Sequence, residues 1–551
     1  MRNKARISKQ ILRTRSADRM RILMTELREI EDKLKKSSEK RNTSIENKIV
    51  EEILTNPRRF YAYARKKSTT NDGIGPLLDK NGGLHSDEQV MVELLSEQYD
   101  SVFSPPLENY SNLNLEHMKP ERYSIMPEVI VNENKLEAAF SKMKCNAAPG
   151  SDGLTGGCLK RGGQLVKDAL VDIFNHSIQE TAVPSQARVA WISPTWKGKR
   201  KDLTENYRPI ALTNQLFKIL ESIIRVEIIK HLEDIGMVDP AQLGPTKCRS
   251  TLTQLIEQQE EILKILEKGS NVDLIYLDLA KAYDKIDHKI LLEKLKILGI
   301  TGKTLEWIEC WLTEKVQRVR IGQNLSTEKK VRSGIPQGSV LGPLMFILYI
   351  WDLNIKNVHE MLDPTKVAVI LKYVDDTRLI FESRTEEDVI CAQEMLNCIY
   401  AWQSYNNMQW NSTKFVRISM GSNVELKNVP LFTPEYQDVI EQKESTRDLG
   451  VIIDDSLRFA SQRQAALLKA RKKCGWVLRV FWTREEILWR SLIQPLQDYA
   501  SQLWCPAWDK GDLALQESPL RMYSKKIVSC KNLNYWQRLI KIRMLSTNRR
   551  T

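Results

Sequence analysis

Leu274-Ile275-Tyr276-Leu277-Asp278-Leu279-Ala280-Lys281-Ala282-Tyr283-Asp284 and, further along, Val367-Ala368-Val369-Ile370-Leu371-Lys372-Tyr373-Val374-Asp375-Asp376 share one pattern, an apolar run that ends on carboxylates. Runs of this length and composition read as buried strands, so Asp278 and Asp375-Asp376 should stand where two strands stop. Unpaired charges in such places cost several kcal/mol unless a cation compensates them. Mg2+ is the natural cation, since it is held by one or two protein carboxylates together with waters and substrate phosphates. Thr377 to Phe381 returns as the second arm of a hairpin. If the two strands are neighbours, the three carboxylates can bridge two metals, as nucleotidyl transfer requires. Adjacent aspartates in a turn are by themselves ordinary turn formers; the order and context of the two acidic groups favour chemistry.

The 551 residues suffice for three or four domain-sized units, and 42% hydrophobic residues can build cores. A formal charge of +13 favours a polyanionic partner, nucleic acid before a membrane surface. The nine cysteines are scattered without a C-x-x-C pair, which indicates neither a disulfide framework nor a zinc module and suits a reducing compartment. Met1 to Arg19 is basic without an apolar core of signal-peptide length, and Val340 to Trp351 is too short to span a bilayer. An intracellular, unsecreted protein of nucleus or cytoplasm, with no membrane partner, is the expectation.

Met20, Leu23, Leu27, Ile30 and Leu34 recur at helical spacing and predict a long amphipathic helix that Asn56-Pro57 ends. Arg58 to Lys67 interleaves bases with aromatics, which suits either a phosphate-and-stacking surface or a solvated helix with one aromatic face. Ser68 to Gly83 reads as a linker, and Ser86-Asp87-Glu88-Gln89 as a capping box opening a short helix. Helices and strands mix from Leu154 to about Asp454, and helices follow over Ala465 to Val480, Arg484 to Leu496 and Tyr535 to Leu545. The expected division is a basic helical arm and linker (1–85), a helical extension leading into fingers (86–175), fingers and palm (176–454), and a helical thumb and C-terminal region (455–551).

Taken in order, Ala148-Pro149-Gly150-Ser151-Asp152-Gly153, Tyr207-Arg208-Pro209-Ile210, the Asp278 motif, Ser333-Gly334-Ile335-Pro336-Gln337-Gly338-Ser339 and Tyr373-Val374-Asp375-Asp376 resemble the reverse transcriptases of non-LTR (LINE-type) retrotransposons, in particular the jockey/CR1-like branch. The resemblance runs from Ala139 to Trp508, with a weaker extension through Asn534 to Leu539. It implies an α+β right-hand polymerase with fingers, an antiparallel palm sheet and a thumb. That enzyme copies an RNA template into DNA from a primer at target DNA, using deoxynucleoside triphosphates and two Mg2+, with Mn2+ as a substitute.

Carried onto this chain, the resemblance assigns Asp278, Asp375 and Asp376 to the metals. Tyr283 matches an aromatic gate that would exclude the ribose 2′-hydroxyl, against the plainer reading of a core aromatic. Asp284 and Asp287 read as caps or paired charges. Arg208 would grip the triphosphate through its bidentate fork. Lys197 and Lys199, in the hairpin tip Lys197-Gly198-Lys199-Arg200-Lys201, would hold phosphate or template backbone, against a solvated loop or nuclear-import signal. Gln337-Gly338 gives a turn where backbone can approach the templating base and nucleotide. Lys414 matches a position that protonates the departing pyrophosphate, against an exposed structural lysine. Leu449-Gly450-Val451 looks like a primer-gripping turn, and Lys469, Arg471, Lys472 and Lys473 suit a thumb on duplex phosphates.

Two departures stand out. Gln242-Leu243-Gly244-Pro245-Thr246-Lys247-Cys248-Arg249-Ser250-Thr251 has Pro245 where the family commonly has an aromatic residue, which bears on template affinity. The family's frame usually begins with an apurinic-type endonuclease, for which this chain has no segment of sufficient length; Met1 is expected to start inside a longer ancestral frame. Two alternatives stay open: a catalytically decayed RNA-binding remnant, and a group II intron maturase-like reverse transcriptase.

Overall fold

The structure is a computed structural model; it describes residues 6–7, 10–11, 16–67, 73–106, 120, 122–237, 249–354, 368–435, 437–481, 486–505, 510–527, 530 and 532–545. By contacts the chain divides into two compact units, Gly73–Leu449 and a second formed by Met1–Asp72 with Gly450–Thr551. The stretch 242–248, with Pro245, lies outside the described residues.

Two sheets organise Gly73–Leu449. The palm sheet contains β5 (Asn271–Leu277), β9 (Ala368–Tyr373), β10 (Asp376–Ser383), β11 (Val416–Met420) and β12 (Glu441–Gln442), in the order β12-β11-β5-β10-β9. β10 lies between β5 and β9 and is antiparallel to both, with Thr377 opposite Leu277 and Asp376 opposite Tyr373. β11 is antiparallel to β5 on its other side. The expected antiparallel palm therefore holds for four strands and fails at the edge, where β12 runs parallel to β11. β12 reaches that edge after a crossover that includes the helix Val424–Asn428, the kind of connection parallel pairing needs. Ile275, Leu277, Leu379 and Phe381 are buried with Phe346, Tyr349, Leu396 and Ile399, so helices Gly342–Tyr349 and Glu386–Tyr405 help to close the palm core.

The fingers sheet contains β3 (Val189–Trp196), β4 (Tyr207–Leu212), β6 (Val316–Ile321) and β7 (Asn324–Leu325) in the order β4-β3-β6-β7, with β8 (Lys329–Lys330) paired to β6. β3 and β4 are antiparallel, which puts Lys197 to Lys201 in their connection as expected. β6 joins β3 in parallel although it follows the first palm strand in sequence. Helix Glu88–Asp100 packs Met91, Val92, Leu95 and Tyr99 against Ile192, Tyr207 and Val319 of this sheet.

Two local expectations are corrected. Within the stretch read as a linker, β1 (Leu77–Leu78) pairs with β2 (Leu84–His85), because Leu77 is buried in the fingers core and the Asp79 carboxylate accepts from the Asn81 and Gly83 N–H groups of the turn. The helix after it is capped by Asp87, which accepts from Gln89 N and Val90 N, rather than by Ser86.

In the second unit, helix Ala17–Glu51 is followed by Pro57–Lys67, with Pro57 at its first position. Phe60 stacks on Phe481 with ring centroids 5.2 Å apart, and Phe60, Ala64, Cys474, Val477, Trp489 and Tyr523 share one core. The buried carboxylate of Glu46 accepts from Tyr63 and Lys67. One aromatic face of Arg58–Lys67 is thus core, while Arg58, Tyr61, Arg65 and Lys66 are exposed. Helix Ala460–Val480 exposes Lys469, Arg471 and Lys472. Among the described residues no helix is long and apolar enough to cross a membrane.

Candidate active site

Asp278 directly follows β5, and Asp376 is the first residue of β10. One step beyond the Leu277–Thr377 pair, the antiparallel register sets these two aspartates across from each other. Asp375 occupies the two-residue hairpin loop with Val374, whose φ of 59° is uncommon for a β-branched residue and suits the turn that reverses β9 into β10. On the other side, Asn411 N donates to Asp278 O at 2.7 Å, and Ala280 N donates to Gln409 O at 2.8 Å. These bonds bring the turn Ser412–Lys414 alongside β5, and Lys414 Nζ lies 2.8 Å from Asp278 Oδ2.

The carboxylates feel one another. Burial raises the Asp375 pKa and the charge of Asp278 adds to it, against the pull of Arg208 and Lys414. Asp376 is pushed up to about 6, chiefly by burial, with Asp375, Asp448 and Asp278 adding and Arg378 opposing. A desolvated, mutually repelling set of this kind is the chemistry that a hard divalent cation relieves. Among the described residues, no three His, Cys, Asp or Glu side chains are gathered closely enough to hold a metal ion as they stand, and the Asp278 carboxylate is engaged by Lys414.

A second group lies at the fingers. Lys197 has its pKa lowered, first by desolvation and then by repulsion from Arg208, Lys281 and Lys199, with Asp284 opposing. Lys197 Nζ donates to Glu205 O at 2.9 Å, and Trp196 Nε1 donates to Lys199 O at 2.7 Å, so the hairpin connection is internally braced. Arg208 is exposed on β4 opposite Thr195. A lysine whose protonation is depressed by burial and by neighbouring cations marks a place where phosphate binding is favoured.

Gln337-Gly338 joins the fingers to the segment after Asp278. Ala211 N donates to Gln337 O at 2.7 Å, and Gln337 Nε2 donates to Asp284 Oδ1 at 3.0 Å. Gly338 has φ 134°, and a Cβ there would stand 2.4 Å from Ala211 O, so the turn requires glycine. Asp284 is therefore not a cap: burial raises its pKa against the opposing effects of Gln337, Lys281 and Lys197. Asp287 is one, accepting from Lys289 N and Ile290 N.

The residues between Asp278 and Asp287 form turns, with Lys281 at φ 52°, and Tyr283 stands in one of them. Its half-buried ring stacks on Phe346 at 4.8 Å, and burial followed by the charge of Asp375 pushes its hydroxyl up to about 12. Tyr283 thus packs on the palm core and reaches the neighbourhood of Asp375.

Sequence reasoning missed Lys281, the Asp284–Gln337 bond and, beside Asp376, a buried pair between Arg378 and Asp448. A signal for Arg378 was present, since a basic residue two positions after Asp376 stands directly at the head of the apolar run Leu379-Ile380-Phe381.

Residues 197–453 match the family described as reverse transcriptase (RNA-dependent DNA polymerase), the interval that contains every site residue above. The chain carries a reverse transcriptase domain. It is 24% identical over 445 residues to the probable RNA-directed DNA polymerase from transposon BS of Drosophila melanogaster, covering 78% of this chain and 48% of that protein. The corresponding polymerase from transposon X-element of the same organism is 24% identical over 505 residues, covering 87% and 53%. The RNA-directed DNA polymerase from mobile element jockey of Drosophila funebris is 25% identical over 425 residues, covering 76% and 46%. The chain thus spans about half the length of these curated relatives. The matched interval begins at Lys197, inside the fingers hairpin, and closes at residue 453.

Proposed function

We propose that this chain is the RNA-directed DNA polymerase of a non-LTR retrotransposon, extending a DNA primer with deoxynucleoside triphosphates on an RNA template. The observation that carries the reading is the juxtaposition of Asp278 with Asp375-Asp376 at the ends of adjacent palm strands inside a reverse transcriptase domain. Asp278, Asp375 and Asp376 would hold two Mg2+, which when bound activate the primer 3′ oxygen and stabilise the pyrophosphate. Arg208, Lys197 and Lys199 would bind the triphosphate, and the Gln337-Gly338 turn would let base and sugar approach the backbone. Lys414 is close enough to the carboxylates to hold and deliver a proton at its Nζ once the aspartates bind cation instead. Cysteines scattered without a C-x-x-C pair suit action inside the cell, in nucleus or cytoplasm.

The test is extension of a labelled DNA primer on RNA by the purified chain with Mg2+, beside Asp375→Ala. Several kcal/mol of transition-state charge stabilisation depend on the metal site, so the variant should lose about a hundredfold or more. Equal rates in the two proteins would dismiss the site.

A further inference from the structure

Arg378 lies two residues beyond Asp376 on β10 with its side chain 1% exposed, and it meets the fully buried carboxylate of Asp448. Arg378 Nε lies 3.0 Å from Asp448 Oδ1 and 2.9 Å from Oδ2, and Nη2 also donates to Oδ1. The remaining nitrogen, Nη1, donates to the main-chain carbonyl of Asp376 at 3.1 Å. Tyr276 of β5 lies alongside, its ring centroid 6.0 Å from the guanidinium carbon and its buried hydroxyl beside Asp448 and Gln258 without a hydrogen bond of normal geometry. Asp448 closes β13 (Ser445–Asp448), which is not a strand of the palm sheet, so this carboxylate is brought to the sheet from outside it.

Stability alone is a poor reason for such a pair. Desolvating two charges offsets most of their attraction, and apolar residues of similar volume commonly serve as well. What an apolar pair cannot supply is direction: a planar guanidinium locked on both carboxylate oxygens through Nε and Nη2 has its remaining nitrogen aimed at one place. Here that place is the peptide of Asp376, next to a hairpin loop that holds Val374 at positive φ, a conformation that persists only where its surroundings over-determine it.

We propose that the buried Arg378–Asp448 pair is a positioning device that fixes the main chain of Asp376 and, with it, the direction of the Asp376 carboxylate. Asp448 acts through Arg378, and neither touches substrate. The proposal rests on the polymerase reading only for its kinetic consequence; the restraint on the hairpin stands apart from it.

The experiment uses the full chain as wild type, R378M/D448L and R378K, with three readouts: thermal melting, amide exchange across residues 373–378, and primer extension. The apolar pair keeps the volume without the fork, and the lysine keeps the charge without it. Expected for the double variant is a melting temperature near or above wild type, hairpin exchange faster by about tenfold, and kcat lower by about ten- to a hundredfold with KM for nucleotide within about threefold, as misplacement of a reacting group produces. R378K should shift exchange and kcat in the same direction, and it supplies the answer if the double variant does not fold. A folded variant with wild-type exchange and wild-type kcat overturns the proposal. Absence of synthesis by the wild type would overturn the polymerase reading instead, and the exchange comparison would still decide whether the pair restrains Asp376.

Discussion

The ammonium of Lys414 lies 2.8 Å from Oδ2 of Asp278, so the first palm carboxylate carries an internal counter-ion. Both side chains are partly exposed, and a pair of this kind contributes about 0 to 1 kcal/mol. A divalent cation at Asp278 competes with that ammonium. Lys414→Met should therefore lower the Mg2+ concentration for half-maximal synthesis by up to about fivefold, within the range of such a pair, while kcat falls because the acid is gone. Titrating Mg2+ against initial rate in both proteins checks this; a higher Mg2+ requirement in the variant would mean that Lys414 supports the metal site rather than competing with it.

The surroundings of Tyr283 leave room for both roles that sequence alone set against each other, gate and core aromatic. Its ring stacks on Phe346, and its hydroxyl feels the charge of Asp375. Tyr283→Val should raise ribonucleotide incorporation relative to deoxyribonucleotide, since it removes the ring that would collide with a 2′-hydroxyl, and the lost aromatic contact should cost about 1 kcal/mol beyond lost burial. Tyr283→Phe should keep both the ratio and the stability. Paired incorporation efficiencies and a thermal melt read the two effects separately, and an unchanged ratio in folded Tyr283→Val would leave only the packing role.

Gly338→Ala tests the junction between fingers and palm. A Cβ there would stand 2.4 Å from Ala211 O at φ 134°, while Ala211 N already donates to Gln337 O. Either the turn or β4 must move, and strain of this type costs about 1 to 3 kcal/mol. Because Arg208 is on the same strand, KM for nucleotide should rise more than kcat falls. Equal KM values in a folded variant would show that the turn does not set the fingers position.

What could be read in the sequence was local. Apolar runs ending on Asp278 and Asp375-Asp376 fix strands and their ends, because burial on both faces leaves a period-free apolar signature. Strand partners are another matter: β6 enters the fingers sheet parallel to β3 across more than a hundred residues of chain, and no local pattern encodes that choice. Buried ion pairs were equally illegible. Arg378 with Asp448, and Lys294 with Asp352 at 2.7 Å, use residue types whose ordinary place is the surface, and only three-dimensional proximity reveals the partner. Leu77 shows the opposite failure, since a Gly-rich polar setting hid a two-residue strand anchored by a single core side chain.

Lys315 offers a pH signature outside the metal site. Its side chain is buried with Nζ 4.0 Å from the Trp311 ring centroid, and burial lowers its pKa to about 8, Glu221 opposing and Lys218 adding. The unfolded chain keeps a lysine of ordinary pKa, 10.5, so between pH 8 and 10.5 it binds more protons than the folded one and stability rises with pH across that window. Below pH 8 the cost is present in full, about 3 kcal/mol by linkage. Lys315→Met removes the charge while keeping the burial. It forfeits a cation–π contact worth about 1 to 2 kcal/mol, and Glu221 retains its bonds from Trp311 Nε1, Val340 N and Leu341 N. The variant should be the more stable protein at pH 7, by about 1 to 2 kcal/mol, and should lose that advantage as pH approaches 10. Urea unfolding of both proteins at pH 7, 8, 9 and 10 measures the difference, from which the other titrating groups cancel. A difference that stays constant with pH would mean that Lys315 keeps its ordinary pKa in the folded chain and that the low-dielectric pocket around it is wetter than its burial indicates.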